Sequence, residues 1–216
     1  MRKRFHIGTS GWHYKHWRGP FYPPDLRTDK MLSFYFQRFD CVEINNSFYR
    51  LPNIHALKTW RDTTPAGFCF SVKGSRFLTH MKKLKDPKPG LKKFFSRIER
   101  LGKKLGPILF QLPPNWHCNP DRLHGFLEAL PPSHSYGFEF RDPSWHTDSV
   151  YRLLERFNAA FCIYELAGFQ SPIELTADFA YVRLHGPLGP YQGRYGKKSL
   201  AAWADRIGDW RRSCRR

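Results

Sequence analysis

The sequence lacks the features that mark several classes of protein. It has no apolar run approaching the roughly 18 residues of a membrane span. Its first five residues are mostly basic and lead straight into a strand-like segment, which excludes a secretory signal peptide. It also has no CxxC pair, no HExxH motif and no P-loop spacing. We therefore expect a cytoplasmic protein with no membrane partner.

Acidic residues are scarce. The chain has 18 Asp and Glu against 36 Lys and Arg, which gives a net charge of +18. Such an excess attracts polyanions. The cations concentrate in residues 82–104 and in a tail that contains Arg211, Arg212, Arg215 and Arg216. These clusters indicate either a solvated helix face with a basic tail or a surface that binds nucleic acid.

The five cysteines do not form a recognisable pairing pattern. Cys41, Cys69 and Cys162 lie inside apolar, strand-like segments, where a free thiol packs as a small apolar side chain. We therefore expect buried free thiols and no cysteine metal site.

Strand-like and helix-like segments alternate along the whole chain. The predicted strands are residues 5–8, 41–45, 68–73, 107–112, 136–141, 160–164 and 181–185. Helices are predicted between most of them, with starts at Thr28, Asn53, Asn119-Pro120, Asp148 and Ser199. Uninterrupted alternation predicts parallel strands with right-handed crossovers in a single domain over residues 1–216.

The polar residues of the strands decide between a doubly wound sheet and a barrel. Near the carboxyl ends, polar side chains share one face of the strand, as Ser71 and Lys73 do, while Phe70 and Val72 share the other. A doubly wound sheet has helices on both faces and should be apolar on both. The sequence therefore predicts an α/β fold of the TIM type, a (β/α) barrel with its polar residues at the top of the interior.

Several strand-end motifs resemble the YecE-like family, domain of unknown function 72. They are Ile7-Gly8-Thr9-Ser10-Gly11-Trp12, Val42-Glu43-Ile44-Asn45-Asn46-Ser47-Phe48-Tyr49, Phe70-Ser71-Val72-Lys73, Leu109-Phe110-Gln111-Leu112-Pro113-Pro114, Phe138-Glu139-Phe140-Arg141 with Trp145, and Tyr181-Val182-Arg183-Leu184-His185-Gly186. The resemblance covers nearly the whole chain and implies a TIM-type barrel, without implying a reaction. The family's eighth strand is not visible here, so we expect a barrel that lacks it and has open edges on the first and seventh strands, or a disturbed gene end.

The strand ends also supply the candidate site. The catalytic candidates are Glu43, Glu139 and His185, and the substrate-binding candidates are Ser10, Asn45, Lys73, Gln111, Arg141, Arg183, Gly186, Arg194 and Tyr195. Arginine and lysine side chains suit a phosphate or carboxylate, and carboxylates and imidazole suit acid/base chemistry. We therefore expect an enzyme, a hydrolase or a lyase, that acts on a small anionic or phosphorylated substrate.

Other interpretations of the same residues stay open. The charged groups could form an internal salt-bridge lattice that only fixes the barrel, and the loop after residue 185 could hold a phosphate or be a plain flexible loop. No cofactor is predicted. A divalent metal on Glu43, Glu139 and His185, a glycosidase carboxylate pair and a Schiff base on Lys73 are weaker alternatives. The oligomeric state is not predicted.

Overall fold

The structure, a computed structural model, describes residues 5–213 and the side chains of residues 5–210. The described residues form two compact units, residues 5–145 and residues 146–213, which we call the N-terminal unit and the C-terminal unit. The arginines of the predicted basic tail lie outside the described side chains. The expectation of a single domain over residues 1–216 stays a prediction.

The N-terminal unit is built on a parallel sheet. Its strands are β1 (Gly8–Ser10), β2 (Cys41–Ile44), β3 (Cys69–Lys73), β4 (Leu105–Gln111) and β5 (Tyr136–Glu139). Each strand pairs in parallel with the next one along the chain. The sequence predicted all of these strands, but β1 begins three residues later than expected. The amide of Ile7 donates to the Asp40 carboxylate at 3.1 Å instead of to a strand.

Helices connect these strands. They are α1 (Met31–Tyr35), α2 (Ile54–Thr63), α3 (Pro87–Ile98) and α4 (Pro120–Glu128). Two predicted caps are confirmed, because Asn53 accepts from the amide of Ala56 at 2.7 Å and Asn119 accepts from that of Arg122 at 3.0 Å. The predicted cap at Thr28 is wrong. Residues 28–30 form a 3-10 turn with no side-chain cap.

Aromatic side chains fill the space between this sheet and its helices. Phe110 of β4 lies 4.9 Å from Phe126 of α4, 5.6 Å from Phe138 of β5 and 6.2 Å from Phe94 of α3, between ring centroids. All four rings are buried. Edge-on and offset contacts of this kind stabilise a core beyond the area that they bury. The apolar face of the strands therefore packs against helices, as the alternating pattern predicted.

The cysteines that the structure describes are not in disulfides. Cys162 is buried, and Cys41, Cys69 and Cys118 are partly buried. Burial, followed by the charges of Cys69, Asp40 and Glu43, raises the pKa of Cys41 to about 12. A thiol with so high a pKa is a poor nucleophile, so the expected structural role fits Cys41. Cys214 lies outside the described residues.

The carboxyl end of α2 is capped by a lysine from a distant part of the sequence. The Lys104 ammonium donates to the backbone oxygens of Arg61 and Thr64, and lies 3.2 Å from the Thr64 hydroxyl. A cation at this position satisfies carbonyls that have no partner within the helix and interacts favourably with the helix dipole.

We expect Lys104→Met to lower the free energy of unfolding by about 1–3 kcal/mol, because the capped carbonyls lose a charged donor. The matched control is Lys103→Met, which removes the same charge from an exposed neighbour and should leave stability nearly unchanged. Urea denaturation of both variants measures the difference. Equal stabilities would contradict the capping role.

The C-terminal unit contains α5 (Asp148–Arg156), β6 (Ala160–Leu166), β7 (Phe169–Gln170), β8 (Tyr181–Leu184) and α6 (Lys197–Ser213). β6 pairs in parallel with β8 and in antiparallel with β7. The sequence missed the two-residue β7, which follows a turn at Ala167 and Gly168 with φ of 51° and 81°. Residues 5–213 show no parallel strand after β8. Within the same residues, no helix is long and apolar enough to cross a membrane.

Candidate functional site

Polar side chains collect at the carboxyl ends of the strands of the N-terminal unit. We call them the strand-end cluster: Ser10, Glu43, Asn45, Lys73, Gln111, Glu139 and Arg141. Strand register places Ser10 beside Glu43 and Gln111 beside Glu139. Because the strands are parallel, these groups share one edge of the sheet. The predicted site residues of this unit therefore do come to the same end of its fold.

A chain of hydrogen bonds joins the ends of β1 and β2. The Ser10 hydroxyl donates to Glu43 Oε1 at 2.6 Å, and the Asn45 amide donates to the same hydroxyl oxygen. Glu43 is buried, whereas Ser10 is partly exposed. Ser10 is thus the partly exposed end of a hydrogen-bonded path to a buried carboxylate.

The end of β3 is held to the loop that follows β2. The Ser47 hydroxyl donates to the backbone oxygen of Lys73 at 2.6 Å. The Lys73 ammonium lies 4.4 Å from the centroid of the Phe48 ring, within the range of a cation–π interaction. The first contact holds the backbone of a buried lysine, and the second holds its ammonium.

The end of β5 carries a buried ion pair. Arg141 Nε donates to Glu139 Oε1, and the Glu139 side chain is fully buried while that of Arg141 is 10% exposed. The next residue, Asp142, is also buried and accepts from the amide and the hydroxyl of Ser144 at 3.0 and 2.7 Å. The guanidinium of Arg141 is therefore oriented by a carboxylate two residues away.

Three charged side chains of the strand-end cluster are buried rather than open to water. Glu43, Lys73 and Glu139 are 7%, 9% and 0% exposed. Polar partners on neighbouring strands and loops take the place of water around Glu43 and Glu139, and an aromatic ring does so for Lys73. Burial of ions is tolerated when such partners are close.

The sequence interpretation missed His80, which lies in a π-helical turn, Phe77–Met81, after β3. Its Nδ1 lies 2.9 Å from the Thr79 hydroxyl, and its ring meets Phe48 edge-on at 4.9 Å. Burial, and then the charges of Lys73 and Arg76, lower the pKa of His80. Because His80 lies outside every predicted strand, nothing in the sequence pattern marked it as a site residue. A π-helical turn is often found at a functional site.

The remaining predicted site residues belong to the C-terminal unit. Arg183 and His185 are buried there, and Arg194 is exposed. The Tyr195 hydroxyl accepts from the amide of Gly186 at 3.0 Å. The predicted roles of these residues stay predictions.

The loop after β8 uses several of its amides internally. Besides Gly186, the amides of Leu188, Tyr191 and Gln192 donate to backbone oxygens of residues 185–192. A phosphate at this loop would therefore have to bind through other groups, such as the exposed Arg194 side chain.

The geometry gives little support to two weaker alternatives, a divalent metal site and a glycosidase carboxylate pair. Among the described residues, no group of three or more His, Cys, Asp or Glu side chains could hold a metal ion. Glu43 and Glu139 lie on β2 and β5, which are three strand spacings of about 4.8 Å apart along the sheet. Glycosidase carboxylates lie roughly 5–10 Å apart. A glycosidase role for this pair stays a prediction.

Comparison with known sequences finds similar proteins that are described as UPF0759 proteins. The chain is 26% identical to the UPF0759 protein YunF of Bacillus subtilis, a match that covers 97% of this chain and 85% of YunF. It is 31% identical over 112 residues to the UPF0759 protein YecE of Escherichia coli K12, and this match covers 51% of the chain but only 41% of YecE.

Solved structures give the same result. A crystal structure of a DUF72 family protein from Thermotoga maritima MSB8 superposes with a TM-score of 0.85 at 26% identity, covering 96% of this chain and 87% of that one. A DUF72 family protein from Enterococcus faecalis V583 superposes with a TM-score of 0.72 at 15% identity, covering 96% and 85%. The second likeness concerns the fold alone.

These findings define the class of the protein: an α/β fold of the TIM-type (β/α) barrel, in which residues 5–213 lack the eighth parallel strand. The family follows from the sequence as well as from the fold. The model of the family described as "Protein of unknown function DUF72" matches residues 6–216, and the chain belongs to that family.

Proposed function

We propose that the protein is an enzyme, a hydrolase or a lyase, that binds a small anionic or phosphorylated substrate and acts on it by general acid/base chemistry. The burial of Glu43, Lys73 and Glu139 at the carboxyl ends of strands in one sheet carries this proposal. Several kcal/mol oppose the burial of each ion. Fold stability alone does not require such charges, and this end of the strands is where barrel enzymes hold their active sites.

The contacts support different roles for the two carboxylates of the N-terminal unit. Glu43 reaches a partly exposed group through the Ser10 hydroxyl, so it is the acid/base residue of the proposal. Glu139 is fully buried against Arg141 and orients that guanidinium toward the substrate. Lys73, held by its backbone and by Phe48, supplies the second cation for the anion. The predicted role of His185, which lies in the C-terminal unit, stays a separate prediction.

The test is binding of small phosphate esters to the purified chain, first by thermal shift and then by calorimetry. We expect Lys73→Met to weaken binding about 10- to 100-fold, since a charged hydrogen bond to the anion is removed. Methionine keeps an apolar contact with Phe48, so the fold should persist. Lys103→Met is the matched control, with the same charge change at an exposed position. Equal affinities of the wild type and the Lys73 variant would sink the proposal.

A second candidate function is binding of nucleic acid, and a basic surface around α3 favours it. We call this surface the basic face: Lys83, Lys85, Lys88, Lys92, Lys93, Arg100 and Lys103, all exposed. The opposite side of α3 is buried through Leu91, Phe94, Phe95 and Ile98. The helix therefore has an apolar inner face and a cationic outer face, which is suited to phosphates of a polyanion.

For the basic face, we expect the salt dependence of duplex DNA binding to become shallower when Lys92 and Lys93 are both changed to Gln. The slope of log K against log salt should fall by about 0.9 for each DNA phosphate that these lysines neutralise in the wild type. Lys15→Gln/Lys30→Gln removes the same charge from two other exposed positions and is the control. Lys104 is left intact because it caps α2. Identical slopes for both double variants would exclude a specific role for α3.

A further inference from the structure

The ring of Phe48 is a common contact for three chemically different side chains. The Lys73 ammonium lies over it at 4.4 Å, the His80 ring meets it at 4.9 Å, and the Tyr49 ring meets it at 5.0 Å. Both aromatic contacts are edge-on. A cation, an imidazole and a phenol ring are thus assembled around one buried residue, next to the strand-end cluster.

Tyr49 differs from the rest of this group because it is 74% exposed. The turn that carries His80 also exposes apolar surface, at Phe77 and Met81, and a cation, at Arg76. Tyrosine is usually more buried than this, with only its hydroxyl in water. Through their common contact with Phe48, the exposed Tyr49 ring and the Lys73 ammonium belong to one group, which suits a ligand with a planar ring attached to an anion.

We propose that the substrate recognised here is an anion that carries a planar ring, with a nucleoside monophosphate as the simplest representative. This inference rests on the proposed function and specifies its substrate class. The phosphate lies on the side of Lys73 and Arg76, and the base stacks on Tyr49. A sugar phosphate would satisfy the cations but leave the tyrosine ring in water.

The electrostatics at His80 agree with this placement of the phosphate. Burial comes first among the causes that lower its pKa, and the charges of Lys73 and Arg76 follow. The imidazole is therefore held in its neutral form, which can donate one hydrogen bond to a phosphate oxygen. A bound dianion would oppose both cations and raise the pKa of His80 again.

The test compares adenosine 5′-monophosphate, ribose 5-phosphate and adenosine by calorimetry. We expect the nucleotide to bind about tenfold or more tightly than the sugar phosphate, because one base stacks on one aromatic ring. Tyr49→Ser should abolish this preference without changing the affinity for ribose 5-phosphate. Tyr49→Phe keeps the ring and should keep the preference, which separates stacking from loss of the hydroxyl.

The outcomes separate this inference from the proposed function. Equal binding of the nucleotide and the sugar phosphate, with both still dependent on Lys73, would overturn the inference and leave the proposed function standing. Binding of neither, or binding that ignores Lys73→Met, would overturn both. A nuclear magnetic resonance titration of His80 gives a second readout. The nucleotide should raise its pKa and adenosine should not, and no change with the nucleotide would overturn the placement of the phosphate.

Discussion

Replacing Glu139 by alanine should lower the free energy of unfolding by about 3–5 kcal/mol, the largest effect that we expect from a single change. The substitution leaves the Arg141 guanidinium almost fully buried without the carboxylate to which it donates. A buried charge has already given up its solvation by water, and removal of this counter-charge takes away part of the compensation for that cost. The loss should therefore exceed that of an ordinary hydrogen bond.

The double variant Glu139→Leu/Arg141→Met tests this explanation. Apolar residues of similar length remove both charges, and such replacements are often neutral or stabilising. We expect the double variant to recover most of the stability that Glu139→Ala loses, as measured by urea denaturation. An exposed pair provides the control. Arg27 Nε lies 3.1 Å from Asp29 Oδ1 at the surface, and Asp29→Ala should change stability little.

The same double variant also bears on function. If Glu139 and Arg141 belonged only to an internal lattice, the apolar double variant would fold and bind phosphate esters like the wild type. If Arg141 contacts the anion, the variant folds but binding weakens. Stability and binding therefore respond differently, and the lattice interpretation that the sequence left open becomes testable.

The strands could be predicted because the local alternation of polar and apolar residues matches the environment of each side chain in the fold. In β3, Phe70 and Val72 alternate with Ser71 and Lys73, and the strand spans Cys69–Lys73 as its pattern indicates. Asn53 and Asn119 likewise cap helices through hydrogen bonds to amides three residues ahead. Such contacts depend on neighbours in sequence, so the sequence alone contains them.

The structure differs from the prediction where the partner is distant in sequence. Lys104 was counted with the basic residues of 82–104, yet its ammonium caps α2 some 40 residues earlier in the chain. His80 became a site candidate only through Lys73 and Phe48, which come from β3 and the loop after β2. Residue type and the alternation of polar and apolar positions predicted that the charged side chains lie at the strand ends. Their burial depends on packing that no local pattern records.

Glycines on β1 and β4 lie close to two cysteines of neighbouring strands, but the nearest atoms differ in kind. A Cβ at Gly8 would lie 2.1 Å from the backbone oxygen of Cys41. A Cβ at Gly106 would lie 2.2 Å from the Cys69 sulfur, with the nearest backbone atom at 3.4 Å. The first collision is with backbone, which cannot move away without moving a strand. The second is with a side chain, which can be removed.

We expect Gly8→Ala to lower the free energy of unfolding by about 3 kcal/mol, at the upper end of overpacking effects. The additional change Cys41→Ala should not restore it, because the carbonyl oxygen remains. In contrast, Cys69→Ala should restore much of the stability that Gly106→Ala removes. Urea denaturation of the four variants measures both comparisons.

The control substitution, at a third glycine, should raise the free energy of unfolding instead of lowering it. Gly125 is exposed in α4 and has no atom within 4 Å of an added Cβ, so Gly125→Ala should stabilise the protein by about 0.5–1 kcal/mol. Rescue of Gly8→Ala by Cys41→Ala would contradict the close approach of β1 to the β2 backbone.

Because Ser10 ends the same short strand as Gly8, the close approach of β1 to β2 also determines how near the Ser10 hydroxyl lies to Glu43. On the proposed function, a Gly8→Ala variant that folds should therefore bind phosphate esters more weakly, because Ser10 is displaced.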